Sequence, residues 1–229
     1  MRITFMSALL MLGSAILPLQ AVTAADTEVS VSVIQPDTDF SKYDKFMIQP
    51  LDIGETRLIP PPWIEGKAGK PRPWKISKKN ADFMQQQYYD AMKNQLQELG
   101  GYTLVDEADD DVLSVEIEIV SLTPWASEKD AVITLGSGEM TFRAEIRDSM
   151  TWENLVVYEG DTPVGKDYQE FTEYSVDQNV KALFDQWGEY LRLALDAEKQ
   201  TACPSKRNAW QMPANKTGGP RQANSPSPR

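Results

Sequence analysis

Carboxylates and tryptophans are the side chains through which this chain could do chemistry. It carries 34 Asp and Glu against 23 Lys and Arg, a single cysteine, and no histidine. Without histidine there is no Ser-His or Cys-His nucleophile pair, and the commonest transition-metal ligand is missing. Carboxylates alone can hydrolyse a glycosidic bond, provided that two of them have pKa values pushed apart. No motif singles out such a pair, so a carboxylate-dependent hydrolase ranks last among the readings and the chain is expected not to be an enzyme. Gly136–Ser137–Gly138 lacks the wider nucleophile-elbow pattern and any base, and reads as a hairpin entry. Asp106, Glu107, Asp109, Asp110 and Asp111 could gather a calcium ion, but they do not alternate along a loop with glycine at its sharp turn; a solvated turn fits better. Cys203 has no partner for an intramolecular disulfide and no histidine to activate it. No metal or cofactor is implied.

The tryptophans are more informative. Trp63, Trp74, Trp125 and Trp152 fall in predicted loops or turns, Trp187 lies on a helical apolar stripe, and Trp210 is near the end of the chain. Large rings on loops are frequent anchors of binding surfaces, and the alternative is that they fold back over the open ends of a sheet. Trp63 and Trp74 sit among prolines, Arg72 and Lys75, which suits an acidic envelope protein or an anionic polymer. These four, with Trp125 and Trp152, are the candidate partner-binding residues.

Such residues need a scaffold, and two alternating runs supply it. In Val112–Leu122, Leu113, Val115, Ile117 and Ile119 fall on one face with Ser114, Glu116 and Glu118 on the other. In Gly138–Asp148, Met140, Phe142, Ala144 and Ile146 oppose Thr141, Arg143, Glu145 and Arg147. Paired antiparallel, the two would set arginines beside glutamates on a wet face. A strand from Tyr43 stops near Pro50, which lacks a ladder donor. Weaker strands are expected at Glu28–Ile34, at Tyr102 and from Leu155, with Thr123–Ser137 and Gly160–Tyr174 irregular.

Two helices complete the domain. The first runs from Ser77 or Asn80 to Leu99 with Met84, Tyr88, Ala91, Met92, Leu96 and Leu99 as its stripe, and ends at Gly100–Gly101. The second runs from about Ser175 to Glu198, opened by a capping box of Ser175 and Gln178. The expected fold is α+β: a mixed, mainly antiparallel sheet of about five strands with both helices on one face, the crossover through the first helix making its flanking strands parallel. Residues 56–76, with five prolines, two glycines and a local excess of basic residues, form a long loop.

The ends differ in kind. Arg2, an apolar run and small residues up to Ala24 or Ala25 have the layout of a secretory signal peptide, so residues 25–199 are expected to form one exported, periplasmic domain without a transmembrane segment. Residues 200–229 are basic and poor in apolar side chains, as in a disordered tail. Setting aside Arg2 and the tail's five basic residues leaves 17 basic against 34 acidic residues in the domain. A body that acidic repels nucleic acid and anionic lipid.

The string YDKFMIQP from Tyr43, the segment ELGGYTLVDEADDDVLSVEIEI and the turn EIRDSMTWENL together resemble a domain-of-unknown-function family of proteobacterial envelope lipoproteins. The likeness spans about Phe40 to Glu198 and implies an envelope location with no catalytic residues. This chain departs from it in having no lipidated cysteine after the leader and in carrying Trp152 where the turn usually has glycine. The leading expectation is a non-catalytic exported binding or assembly module acting through the Trp63–Lys79 stretch, followed by a subunit that self-associates through an edge strand.

Overall fold

A computed structural model describes residues 29–33, 35, 37–60, 76–126 and 131–200. The predicted leader, the candidates Trp63, Arg72, Trp74 and Lys75, and the tail with Cys203 and Trp210 lie outside the described residues. The elements in order are β1 (Val29–Val33), β2 (Lys45–Ile48), β3 (Arg57–Leu58), α1 (Lys78–Lys93), β4 (Thr103–Leu104), β5 (Val112–Pro124), β6 (Ile133–Leu135), β7 (Gly138–Asp148), β8 (Asn154–Val164), β9 (Tyr168–Glu170) and α2 (Glu173–Gln200).

The fold is α+β, as the alternation of the two central runs predicts. Seven strands form a mixed, mostly antiparallel sheet in the order β1-β8-β7-β5-β2-β4, with β3 beside β5, and β6 and β9 form a separate two-stranded ribbon. The sheet has more than the expected five strands, and β3, with only two residues, is too short to display a period, as are the three-residue strands of the ribbon. β5 and β7 pair antiparallel from Leu113–Asp148 to Pro124–Gly138. β2 lies parallel to both β4 and β5, the geometry that a helical crossover imposes.

Pro50 ends β2 but not the contact. The chain resumes beside β5 at Asp52, which bridges to Glu118, and again at β3, opposite Ser121 and Leu122. The Gln85 side chain of α1 bonds both backbone groups of Leu51, satisfying polar atoms that the interruption exposes. The chain is therefore still tied to β5 beyond position 56, where the loop is expected to start: Thr56 Oγ1 donates to the Ile119 carbonyl at 2.6 Å and Ile59 N–H to the Leu122 carbonyl at 2.8 Å.

Both helices cover the same face. Met84, Tyr88 and Leu96 from the first and Leu183, Phe184, Trp187 and Leu195 from the second share one core with Leu113, Val115, Ile117, Phe142 and Ile146. Trp187 stacks 4.5 Å from Phe142 and 5.4 Å from Phe184, so it is a core residue as its stripe position predicts. Large side chains of this kind each stabilise the fold by about 1.5–3 kcal/mol through burial.

Three details differ from the sequence reading. The last turn of the first helix, Asn94–Leu99, is π-wound, and the wider turn carries Leu99 off the stripe to 60% exposure while Leu96 stays buried. Gly101, at φ 71, supplies the left-handed exit. α2 begins at Glu173, and its capping box pairs Thr172 with Ser175: Ser175 N–H donates to Thr172 Oγ1 at 3.1 Å and Thr172 N–H to Ser175 Oγ at 3.0 Å. Residues expected to be irregular extend β8 to Val164, because Pro163 lies beyond the stretch flanked by β1, where a missing donor is tolerated.

One core group is unsatisfied. The Tyr88 hydroxyl, wholly buried against Phe184, has no hydrogen-bond partner among the described residues. Removing it in Tyr88→Phe is expected to raise the unfolding free energy by about 1 kcal/mol, since an unmatched buried hydroxyl costs about 1–3 kcal/mol. Urea denaturation checks this, and a loss of stability would contradict it.

Candidate functional site

The two ends of the central sheet have opposite chemistry. At the end where β5 starts and β7 finishes, Asp148 is the hub. Its Oδ2 accepts from the buried Tyr43 hydroxyl at 2.7 Å and from Lys42 at 3.5 Å; its Oδ1 accepts from the backbone N–H groups of Met150 and Thr151 at 3.0 Å each. Burial works to raise the Asp148 carboxyl, but the Thr151, Tyr43 and Met150 donors and the Lys42 charge outweigh it and hold it below the usual range. Next to it Ser149 Oγ donates to the Asp109 carbonyl at 2.9 Å and accepts from the Asp109 N–H at 3.1 Å. Lys45 lies 2.7 Å from Asp111 and 3.8 Å from Asp109.

Tyr43, Lys45, Asp148 and Ser149 belong to the motifs that carry the family resemblance, and the fold assembles them into one lock between strands. The acidic run is part of it. Asp109, Asp110 and Asp111 bring carboxylate oxygens within 4.8 Å of one another, and a lysine ammonium already serves two of the three.

The polar face of the sheet repeats the pattern. Glu145 stands opposite Glu116 in the ladder, a like-charge pair that two arginines offset. Arg143 reaches Glu145 at 2.7 Å and Glu159 at 2.8 Å; Arg147 reaches Glu116 at 2.9 Å and also Glu145. Burial pushes the Glu145 carboxyl up, yet the Arg147 and Arg143 bonds prevail and keep it low. The two carboxylates buried among the described residues, Glu145 and Asp148, are therefore both held ionised. Neither has the raised pKa that a general acid needs.

The opposite end of the sheet is apolar and concave. A cavity of about 420 Å³ opens between the amino-terminal turns of α1 and α2, the end of β5 and the start of β7. Phe83, Met84, Leu122, Met140, Val164 and Val180 line it, and Glu139, Glu173 and Asp177 stand among its polar lining groups. Leu58 and Ile76, on either side of the proline-rich stretch, also line it. Beside the cavity hangs the β6–β9 ribbon, with Leu135 opposite Tyr168 and Ile133 opposite Glu170. Its outward residues are strongly exposed: Ile133 at 74%, Tyr168 at 78%, Leu135 at 47%.

The fold separates the two described tryptophan candidates. Trp125 is half-buried at the concave end, its backbone N–H donating to the Ser137 carbonyl at 3.1 Å. Trp152 sits in the β7–β8 turn at the lock end, a strand of eleven residues away, about 34 Å. It is 51% exposed and has φ 59, the left-handed conformation that explains why glycine suits that position. Trp125 and Trp152 therefore cannot belong to one small site. The cavity and ribbon escaped the sequence reading, because Ile133–Thr134–Leu135 and Tyr168–Gln169–Glu170 are too short to show a period. Gly136–Ser137–Gly138 is the joint between ribbon and sheet, since β6 and β7 belong to different sheets.

No helix among the described residues is long and apolar enough to cross a membrane. No curated protein matches the sequence significantly. Among solved structures, the PelC dodecamer from Paraburkholderia phytofirmans is 6% identical, with 71% of this chain and 95% of that one covered at a TM-score of 0.38. A Xanthomonas campestris protein of DUF330 is 11% identical over 68% and 86% of the two chains, TM-score 0.38. A minor lipoprotein from Acinetobacter baumannii is 10% identical over 66% and 93%, TM-score 0.31. Likenesses this distant carry no argument about activity. The family comparison is decisive: residues 16–191 match the protein of unknown function family DUF3313, and the chain belongs to it.

Proposed function

We infer that this protein is a non-catalytic, exported module of the cell envelope that works by binding or assembly. The observation that carries the reading is the state of Glu145 and Asp148. Both are saturated by fixed donors and held ionised, so the buried acids stabilise the scaffold and are not poised for proton transfer. Apolar surface suited to binding is present at the concave end, where an apolar cavity and an exposed apolar ribbon adjoin. Export and an envelope location rest on the leader-like first residues and on the motifs shared with envelope lipoproteins.

The test is crosslinking in intact Gram-negative cells, followed by capture of the full chain. Partners from the envelope are expected, and replacing Trp63 and Trp74 by Ala should thin the partner set. Recovery of the chain from the cytosol alone would sink the reading. A second reading, self-association, is favoured by β1, whose one neighbour among the described strands is β8. Light scattering that rises with concentration would support it, and a strict monomer would remove it.

A further inference from the structure

The concave end has the makings of a specific recognition site. We propose that it binds a basic, extended polypeptide segment, placing one bulky apolar side chain in the cavity and the neighbouring backbone along the β6–β9 ribbon. This deepens the binding-module reading and rests on it.

Size and lining come first. About 420 Å³ falls within the range of small-ligand pockets, and the walls are apolar side chains from four elements. Charge selects next. Glu139, Glu173 and Asp177 stand among the lining residues with no Lys or Arg among those described. Lys79 pairs with Glu173, while the half-buried Glu139 has no ion pair among the described residues. With 17 basic against 34 acidic residues, the net charge of the domain favours a cationic partner over anionic lipid.

The ribbon distinguishes a polypeptide from a small amphiphile. A two-stranded sheet is marginal by itself, and its outer edges are unpaired among the described residues. A third strand would take up those backbone groups, while Ile133, Leu135 and Tyr168 supply a continuous apolar face. Ribbon and cavity are continuous through the chain. Ser137 lies two residues after Leu135 and Phe171 directly after Glu170; both line the cavity, and the Phe171 N–H donates to the Val132 carbonyl at 2.9 Å. A small amphiphile would fill the cavity and leave the ribbon bare.

The experiment uses the full chain and a fluorescein-labelled peptide of alternating Lys and Val with a central Trp. Saturable anisotropy is expected, weakening about tenfold or more when the peptide's Lys become Glu or its Trp becomes Ala. Glu139→Lys and the exposed pair Ile133→Glu with Tyr168→Glu should weaken it comparably, at unchanged circular dichroism and melting temperature. The exposed pair keeps the test valid if a cavity variant such as Val180→Trp fails to fold. Equal binding of the acidic peptide, or no saturable binding, would overturn the proposal. Binding that appears only when residues 61–75 are replaced by a short Gly-Ser linker would assign the cavity to the chain's own segment and overturn it too. If the ribbon pair leaves the crosslinked envelope partners unchanged, this site is wrong while the binding-module reading stands.

Discussion

Replacing Asp148 by Ala is expected to lower the unfolding free energy by about 3 kcal/mol, because hydrogen bonds to a charged group contribute about 1.5–3 kcal/mol and their loss strands the partners. The carboxylate is nearly enclosed, at 12% side-chain exposure, and serves four donors. Truncation leaves the buried Tyr43 hydroxyl and the two turn N–H groups unmatched, while Lys42, half exposed, can turn to water. Asp148→Asn keeps an acceptor for the turn and should cost less than Ala. Tyr43→Phe should cost about 1 kcal/mol, and a double-mutant cycle should show coupling between the two.

The same group sets part of the acid response. The folded carboxyl titrates below its ordinary value of 3.8, so the stability it contributes is present in full above that pH and is lost as pH falls through the folded value. Glu145, depressed from its ordinary value of 4.5, adds a second loss of the same sign as pH falls below that value. Stability measured by urea denaturation from neutral pH down to pH ~2.5 should fall less steeply in Asp148→Ala than in the parent. An Ala variant within about 1 kcal/mol of the parent, with an unchanged acid slope, would show that the lock does not hold the strands.

How much of this was legible follows from the range of each interaction. The faces of β5 and β7 and the stripes of both helices were readable because their periods repeat within a single run: Leu113 to Ile119, Met140 to Ile146, Val180 to Leu195. The lock was not. Tyr43 and Asp148 are 105 positions apart, and nothing in either motif says that a hydroxyl in one meets a carboxylate in the other. Both lie in the strings that carry the family resemblance, and the fold joins them by a hydrogen bond between strands. The ribbon failed for a different reason, since three-residue strands carry one alternation each and Gly160, Pro163 and Gly165 look like loop residues from sequence alone. Trp152 is intermediate. Its mismatch with a glycine position was visible, and φ 59 gives that mismatch a backbone cause.

Gly136→Ala is the second large effect, and it bears on the concave end. Gly136 has φ 69, and a Cβ there would stand 2.3 Å from the Gly165 carbonyl oxygen and 2.7 Å from that of Val164, both fixed backbone atoms. The left-handed strain costs about 1–3 kcal/mol and the overlap a further ~1–3 kcal/mol. Relief requires the joint to open, which breaks the Gly136 N–H bond to the Asp167 carbonyl at 2.9 Å and frees Ser137, held through its hydroxyl by Asn179 at 2.7 Å. The damage should be uneven. Amide exchange across β6 and β9 should quicken sharply while the β5–β7 ladder stays protected at low denaturant, because the long ladder does not depend on the joint. Gly54→Ala is the matched control: its Cβ would meet only the Asp52 carboxylate at 3.5 Å, an ordinary contact, and stability should change little. If the two alanines behaved alike, the ribbon would not be anchored through Gly136, and the site proposed at that end would lose the rigid edge on which a partner strand must lie.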